Sequence, residues 1–308
     1  MSTRQLRTDP PADPAAVLDI SLIICTRNRA AFLPAHLQSL TGLITDTLQC
    51  EIIIVDNGST DATGELLAAF AGSRPGLVRL VREPLPGLAR ARNAGYKAAR
   101  GRLVVFTDDD CYPEPNFLEQ IVHALDTNGW DYMGGRVNLF DPLDAPITIK
   151  TDTEKFEIRA GSHIEAGVMH GANFSFKRSV LEFLGGFDAR FGAGAPLISG
   201  EDMDIIARAS AAGFCGGYDP RPIVAHHHRR RDQREIDKLN VGYDVGRGAY
   251  YAKMLLVKEV RWIYARHWYW RFRMFALSGK IGRIYSETSG ATRFLASELL
   301  LRCKAQFR

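Results

Sequence analysis

Three consecutive carboxylates, Asp108, Asp109 and Asp110, stand at the exit of the apolar run Leu103-Val104-Val105-Phe106-Thr107. Side chains alternate between the two faces of a β-strand. Extended backbone would therefore point Asp108 and Asp110 the same way, fit to grip one divalent cation, and send Asp109 elsewhere. A solvated acidic turn is the ordinary alternative. Further along, Gly200-Glu201-Asp202-Met203-Asp204 opens a helical pattern. Acidic residues in a first turn often only complement the helix dipole, but the same place suits a general base facing a cleft. After it, His226-His227-His228 follows a strand-like run that includes Ile223 and Val224. Alternation puts His226 and His228 on one face. An imidazole joining two carboxylates makes a manganese- or magnesium-type site, histidine favouring manganese.

Two further residues have a chemical and a plain reading. Asp56 ends the run Ile52-Ile53-Ile54-Val55, where a carboxylate accepts hydrogen bonds from a nucleobase or ribose, or simply forms a turn. Arg92, within Gly87-Leu88-Ala89-Arg90-Ala91-Arg92-Asn93-Ala94-Gly95, falls on a helix. Facing inward it pairs with a diphosphate; facing outward it is an exposed helix arginine.

The elements that must position these groups are legible as an alternation. Ile20 to Cys25, Glu51 to Asp56, Leu77 to Val81 and Arg102 to Asp108 read as strands. Leu33, Leu37, Leu40 and Ile44 recur at helical spacing, as do Phe117, Ile121 and Leu125; Ala62 to Ala71 and the Ala-rich Leu88 to Arg100 are helical as well. Strand and helix alternating four times imply a parallel sheet covered on both faces, with ligands bound beyond the carboxyl ends of its strands. Those ends carry Thr26-Arg27-Asn28-Arg29, the stretch from Asp56 to Asp61, and the three aspartates. Residues 130 to 225 read as mixed strands and glycine-rich turns completing the same domain.

The chain has 308 residues, 46% hydrophobic and 24% charged, which fits a globular protein of one large or two modest domains. No apolar run approaches the roughly 18 residues of a membrane span, and the N-terminus lacks a signal-peptide layout, so the expected location is cytoplasmic. Five scattered cysteines without a CxxC pair argue against a disulfide framework or a zinc cluster. The net charge of +4 hides an asymmetry: from His226 onward there are 18 Lys and Arg against 7 Asp and Glu, whereas the first 225 residues have 21 against 28. Within that basic part, residues 255 to 277 interleave Trp262, Tyr264, Trp268, Trp270, Phe272 and Phe275 with arginines. They read as helices packed on the catalytic domain, or as an element lying on the cytoplasmic face of an anionic membrane. Nucleic-acid binding lacks a recognition motif to go with the charge.

Six segments in order, SLIICTRNR, EIIIVDNGSTD, GLARARNAG with ARGRLVVFTDDD, HGANFSFKRSVLEFLGGFD, GEDMDIIARASAAG and YDPRPIVAHHHRR, give this chain its resemblance to the inverting glycosyltransferases of family 2. The resemblance covers residues 20 to about 231. It implies a GT-A fold, an α/β Rossmann-like architecture with a mostly parallel central sheet flanked by helices. Here that would mean a catalytic domain over 19–231, after residues 1–18, which Pro10, Pro11 and Pro14 mark as a disordered or loosely attached leader, and before a helical C-terminal extension over 232–308. It further implies a nucleotide-sugar donor, most commonly UDP-linked, Mn2+ or Mg2+ as cofactor, and a glycan, lipid-linked or protein-linked acceptor. Position by position, Thr26 and Arg29 would lie at the base and ribose, Asp56 would bind the base, and Arg92 would approach the nucleotide or diphosphate. Asp108 and Asp110 would form the DxD-like motif, Asp110 as the more direct metal ligand. Asp202 would be the catalytic base, His226 would complete the metal site with His228 as the alternative register, and Gly171-Ala172-Asn173 would line the sugar pocket. Sugar-1-phosphate nucleotidyltransferases share a related core, but their glycine-rich loop with catalytic Arg and Lys is missing after the first strand. A scaffold without activity would have no need of Asp56, Asp108, Asp110, Asp202 and a histidine together.

Overall fold

A computed structural model describes residues 18–43 and 47–306. Apart from Leu18, the expected leader lies outside the described residues, as does Ile44. The anticipated alternation is present as β1 (Ile20–Thr26), α1 (Leu33–Leu40), β2 (Cys50–Asp56), α2 (Thr63–Gly72), β3 (Val78–Arg82), α3 (Leu88–Ala98), β4 (Leu103–Asp108), β5 (Cys111–Pro113) and α4 (Phe117–Asn128). Beyond it come β6 (Tyr132–Leu139), β7 (Phe156–Ile158), β8 (Phe174–Lys177), α5 (Arg178–Leu184), α6 (Glu201–Ala211) and β9 (Gly216–His226). Three long helices follow, α7 (Gln233–Leu255), α8 (Arg261–Leu277) and α9 (Ile281–Gln306).

All the strands join one sheet in the order β3-β2-β1-β4-β8-β6-β9-β5, with β7 paired to β9. β3, β2, β1 and β4 run parallel, and β8 then pairs antiparallel with β4. Strand order reverses about β1, which lies between β2 and β4. Crossovers leave on opposite faces there and open a crevice at the strand ends. The apolar strands fill two cores, one on each face. Ile20, Leu22 and Ile24 of β1 point toward α1 and α4, while Ile23, with Val55 and Phe106, points toward α3 and α6. This period-two division is why the strands are hydrophobic almost throughout.

The C-terminal helices share the second of these cores. Tyr250 of α7 and Tyr264 of α8 are fully buried, their hydroxyls 2.8 Å apart, and both bind the backbone of Ile164. Gly242, Gly246 and Gly248 sit within α7. A Cβ on Gly248 would collide with the Glu287 carbonyl of α9, and one on Gly290 with the Val245 carbonyl. The two helices touch backbone to backbone, which only glycine permits. No helix of the described residues is long and apolar enough to cross a membrane.

Candidate active site

The carboxyl ends of β1, β2 and β4 open into a cavity of about 730 Å³, a size suited to a small organic ligand. Its walls include Thr26, Arg29 and Asn57 from the strand ends, Arg92 from α3, Asp108 to Asp110, Gly171, Glu201 and Asp202 from the start of α6, and His226. Helix α7 closes one side with Leu239, Asn240, Tyr243 and Arg247.

The three aspartates do not follow strand alternation. β4 ends at Asp108, and the chain turns before β5, so the two-residue period stops where the expectation needed it to continue. Each carboxylate has its own partner. Asp108 faces Arg92, with Nη2 at 3.2 Å. Asp109, expected to point elsewhere, is buried in the site: Thr26 Oγ1–H donates to its Oδ2 at 2.5 Å, and Arg29 Nε lies 3.3 Å from Oδ1. Burial pushes its carboxyl up to about 6 despite the pull of Arg29. Asp110 meets His226 Nε2 at 3.3 Å and Arg29 Nη2 at 3.1 Å. Burial works against its charge, but the His226 hydrogen bond and the two cationic neighbours outweigh it and hold the carboxyl at about 2.

β5 explains why Asp110 and His226 meet, because its antiparallel pairing with β9 sets Cys111 opposite His226. His226 Nδ1 is occupied by Thr148, 3.4 Å from the carbonyl and 3.3 Å from the hydroxyl, which leaves Nε2 for Asp110. His228 is engaged at both ring nitrogens: Nε2–H donates to the Ala145 carbonyl at 3.0 Å, and Nδ1 accepts the Arg230 N–H. His226 is therefore the histidine with a nitrogen facing the carboxylates.

Potential ligand atoms of Asp110, Cys111 and His226 lie within 4.8 Å of one another. Burial drives the Cys111 thiol far above its ordinary value. The carboxylate of Asp110 and the imidazole of His226 are donors that suit Mn2+ or Mg2+. Asp108 lies outside this group, turned to Arg92. A second cluster, Asp141, Asp144 and His227, is already neutralised by Arg231, at 2.6 Å from Asp141 and 3.0 Å from Asp144.

Asp202 stands in the first turn of α6, where Gly200, with φ of 92°, turns the chain into the helix. One carboxylate oxygen accepts the Met203 N–H at 2.8 Å and the other accepts the Gly171 N–H at 3.3 Å. Its neighbour Glu201, which residue-type reasoning passed over, points into the protein and pairs with Arg92 Nη1 at 2.8 Å. Burial and the adjacent Asp202 push the Glu201 carboxyl up to about 7, with Arg92 pulling the other way. Arg92 is thus the inward arginine. It spans Glu201, Asp108 and the Gly171 carbonyl, with its guanidinium 5.0 Å from the centre of the Phe174 ring.

Two expected residues lie behind the wall. Asp56 is buried at the end of β2, accepting the Ser59 N–H at 2.9 Å, while the adjacent Asn57 lines the cavity. The Asn173 amide donates to the carbonyls of Arg136 and Pro222 at 2.9 and 3.0 Å. It ties β6 to β9 where their register shifts, and Gly171 and Ala172 reach the cavity instead.

The profile of Glycosyl transferase family 2 matches residues 21–185, and the chain belongs to that family. Among curated relatives, Glycosyltransferase AglE of Haloferax volcanii is 27% identical over 246 residues, covering 80% of this chain and 78% of its own. Succinoglycan biosynthesis protein ExoO of Rhizobium meliloti is also 27% identical, covering 75% of this chain and 67% of its own. Among solved structures, mannosyltransferase PcManGT of Pyrobaculum calidifontis, in complex with GDP-Man and Mn2+, superposes with a TM-score of 0.62. It is 20% identical, with 96% of this chain and 84% of that one covered. S. aureus TarS 1-349 gives a TM-score of 0.60 at 15% identity, covering 80% and 68%. These structural likenesses establish the GT-A-like fold, a mixed curled sheet flanked by helices. Family and fold together make the protein a glycosyltransferase.

Proposed function

We propose that this glycosyltransferase moves a sugar from a nucleotide diphosphate donor, UDP-linked as the first expectation, to an acceptor hydroxyl with inversion and with the help of Mn2+ or Mg2+. The observation that carries this reading is the meeting of Asp202 with the Asp108–Asp110 turn and His226 around one cavity at the sheet's switch point. Thr26 and Arg29 lie where the donor's nucleoside would enter, with Asp56 supporting the loop beneath it. Arg92 braces Asp108 and the Gly171 turn against the sugar and diphosphate. Asp110 and His226 would hold the cation, with Asp108 toward the ribose; when bound, the cation would offset the charge that develops on the departing diphosphate. Asp202 removes the acceptor proton as the hydroxyl oxygen attacks the anomeric carbon. The complexes of PcManGT with GDP-Man and Mn2+ and of TarS with UDP support a nucleotide-linked donor and a metal, and the likeness to a succinoglycan biosynthesis protein supports a part in polysaccharide assembly.

A screen of UDP- and GDP-sugars for nucleotide release, with Mn2+, Mg2+ or chelator, tests the reading. Release with one donor and its loss on chelation are expected; release indifferent to chelator would remove the metal from the proposal. Calorimetry on Asp110→Asn carries the same point to the residue. Donor affinity in Mn2+ should fall by at least the roughly 10- to 100-fold that losing a mere outer-sphere partner costs. Unchanged affinity would place the metal elsewhere.

A further inference from the structure

The aromatic and basic residues of α8 are not consumed by packing. Its inner face buries Tyr264 and Phe275 and half-buries Trp268, while the opposite face leaves Trp262 80%, Tyr269 60%, Trp270 49%, Met274 60% and Leu277 74% exposed. These positions recur at helical spacing, so they form one stripe, and it continues across the turn into α9 through Tyr285, 76% exposed. A face of this size and composition on water is a binding surface in search of an occupant.

Charge identifies the occupant. From Arg261 to Ser286 there are six basic residues and no acidic one. Arg266, Arg273 and Lys280 have no carboxylate partner among the described residues, and the Arg273 guanidinium lies 5.2 Å from the centre of the Trp270 ring. The first carboxylate after this stretch, Glu287, is fully buried and already shared by Arg247, Arg271 and the Trp268 indole N–H. It casts no competing charge on the surface. Tryptophan and tyrosine mixed with unpaired arginine suit the headgroup zone of a bilayer, where ring and aliphatic stem enter the acyl boundary and the cations meet lipid phosphate.

We propose that the outer face of α8 and the start of α9 dock this enzyme on an anionic lipid bilayer. α8 packs against α7, with Trp268 stacked on Tyr251. α7 lines the cavity with Tyr243 and Arg247, and Arg247 binds the same Glu287 that anchors Trp268 and Arg271. The enzyme would therefore work near the membrane surface.

Sedimentation of the full-length chain with vesicles of phosphatidylcholine, alone or mixed with phosphatidylglycerol, tests the docking. Binding is expected with the anionic mixture and not with phosphatidylcholine alone, and it should weaken as salt rises. The double charge reversal Arg266→Glu with Arg273→Glu should lower vesicle affinity by about thirtyfold or more, from the loss of two basic contacts at the surface. Trp262→Ala with Trp270→Ala should lower it independently. Both pairs are surface residues outside the cavity, so nucleotide release should stay at the wild-type rate. Failure to sediment with anionic vesicles, equal binding to phosphatidylcholine alone, or binding unaffected by either pair would overturn the proposal. So would a dimer in light scattering that the tryptophan pair abolishes, since the face would then belong to a second copy of the chain.

Discussion

Asp202→Asn is expected to slow transfer to the acceptor by about 10²- to 10⁴-fold, the range a general base contributes, while donor binding stays near wild type. Asparagine keeps the size of the side chain and retains one oxygen to accept the Met203 N–H, so the first turn of α6 should persist. What disappears is the capacity to take a proton. Glu201 cannot stand in, because its carboxylate is turned inward and held by Arg92 at 2.8 Å. Initial rates of product formation, set beside calorimetric donor affinity, separate the two effects. A near-wild-type rate would show that another group accepts the proton.

The second large effect is structural and lies one residue away. Arg92→Met should destabilise the fold by about 3–5 kcal/mol, because it leaves Glu201 as a buried charge without its cation. Both side chains are largely removed from water, at 3% and 9% exposure, so solvent cannot replace the lost partner. The variant should also lose stability over a wider pH range than wild type does. Without Arg92 the Glu201 carboxyl, already pushed up to about 7, rises further, so the folded state holds a proton that the unfolded chain releases near its ordinary value of 4.5. Stability of the variant should therefore fall as pH rises from about 4.5 toward that folded value. Adding Glu201→Gln removes the stranded charge and should recover most of the loss. Urea unfolding of wild type, both single variants and the double variant, on each side of neutrality, checks this; Arg92→Met as stable as wild type would deny Arg92 its bracing role.

The parallel half of the sheet was legible because burial on both faces leaves continuous apolar runs, and polar residues then fall at the strand ends. The gathering of polar residues at the carboxyl ends of the strands follows. The details of the carboxylate turn were not legible. Alternation is a property of extended backbone, and the chain leaves β4 at Asp108, so the direction of Asp109 depends on Thr26 and Arg29, which lie eighty or more residues away. Which of His226 and His228 turns a ring nitrogen to the carboxylates is likewise non-local, set by the Thr148 and Ala145 backbones. Asn173 and Glu201 exchanged expected places: the amide ties backbone together behind the cavity, and the overlooked carboxylate braces Arg92. For Glu201 one signal was available, since a helix opening on adjacent Glu and Asp presents them in directions about 100° apart, so both cannot face one cleft equally. The reason for glycine at 248 in α7, close contact with α9, is a tertiary one that the local sequence does not carry.

The stereochemistry of the product tests the central claim most directly. With the donor that the screen selects, NMR of the first-formed glycoside reports its anomeric configuration against that of the nucleotide sugar. Direct displacement assisted by Asp202 predicts the opposite configuration at the anomeric carbon. A product that keeps the donor's configuration would contradict it.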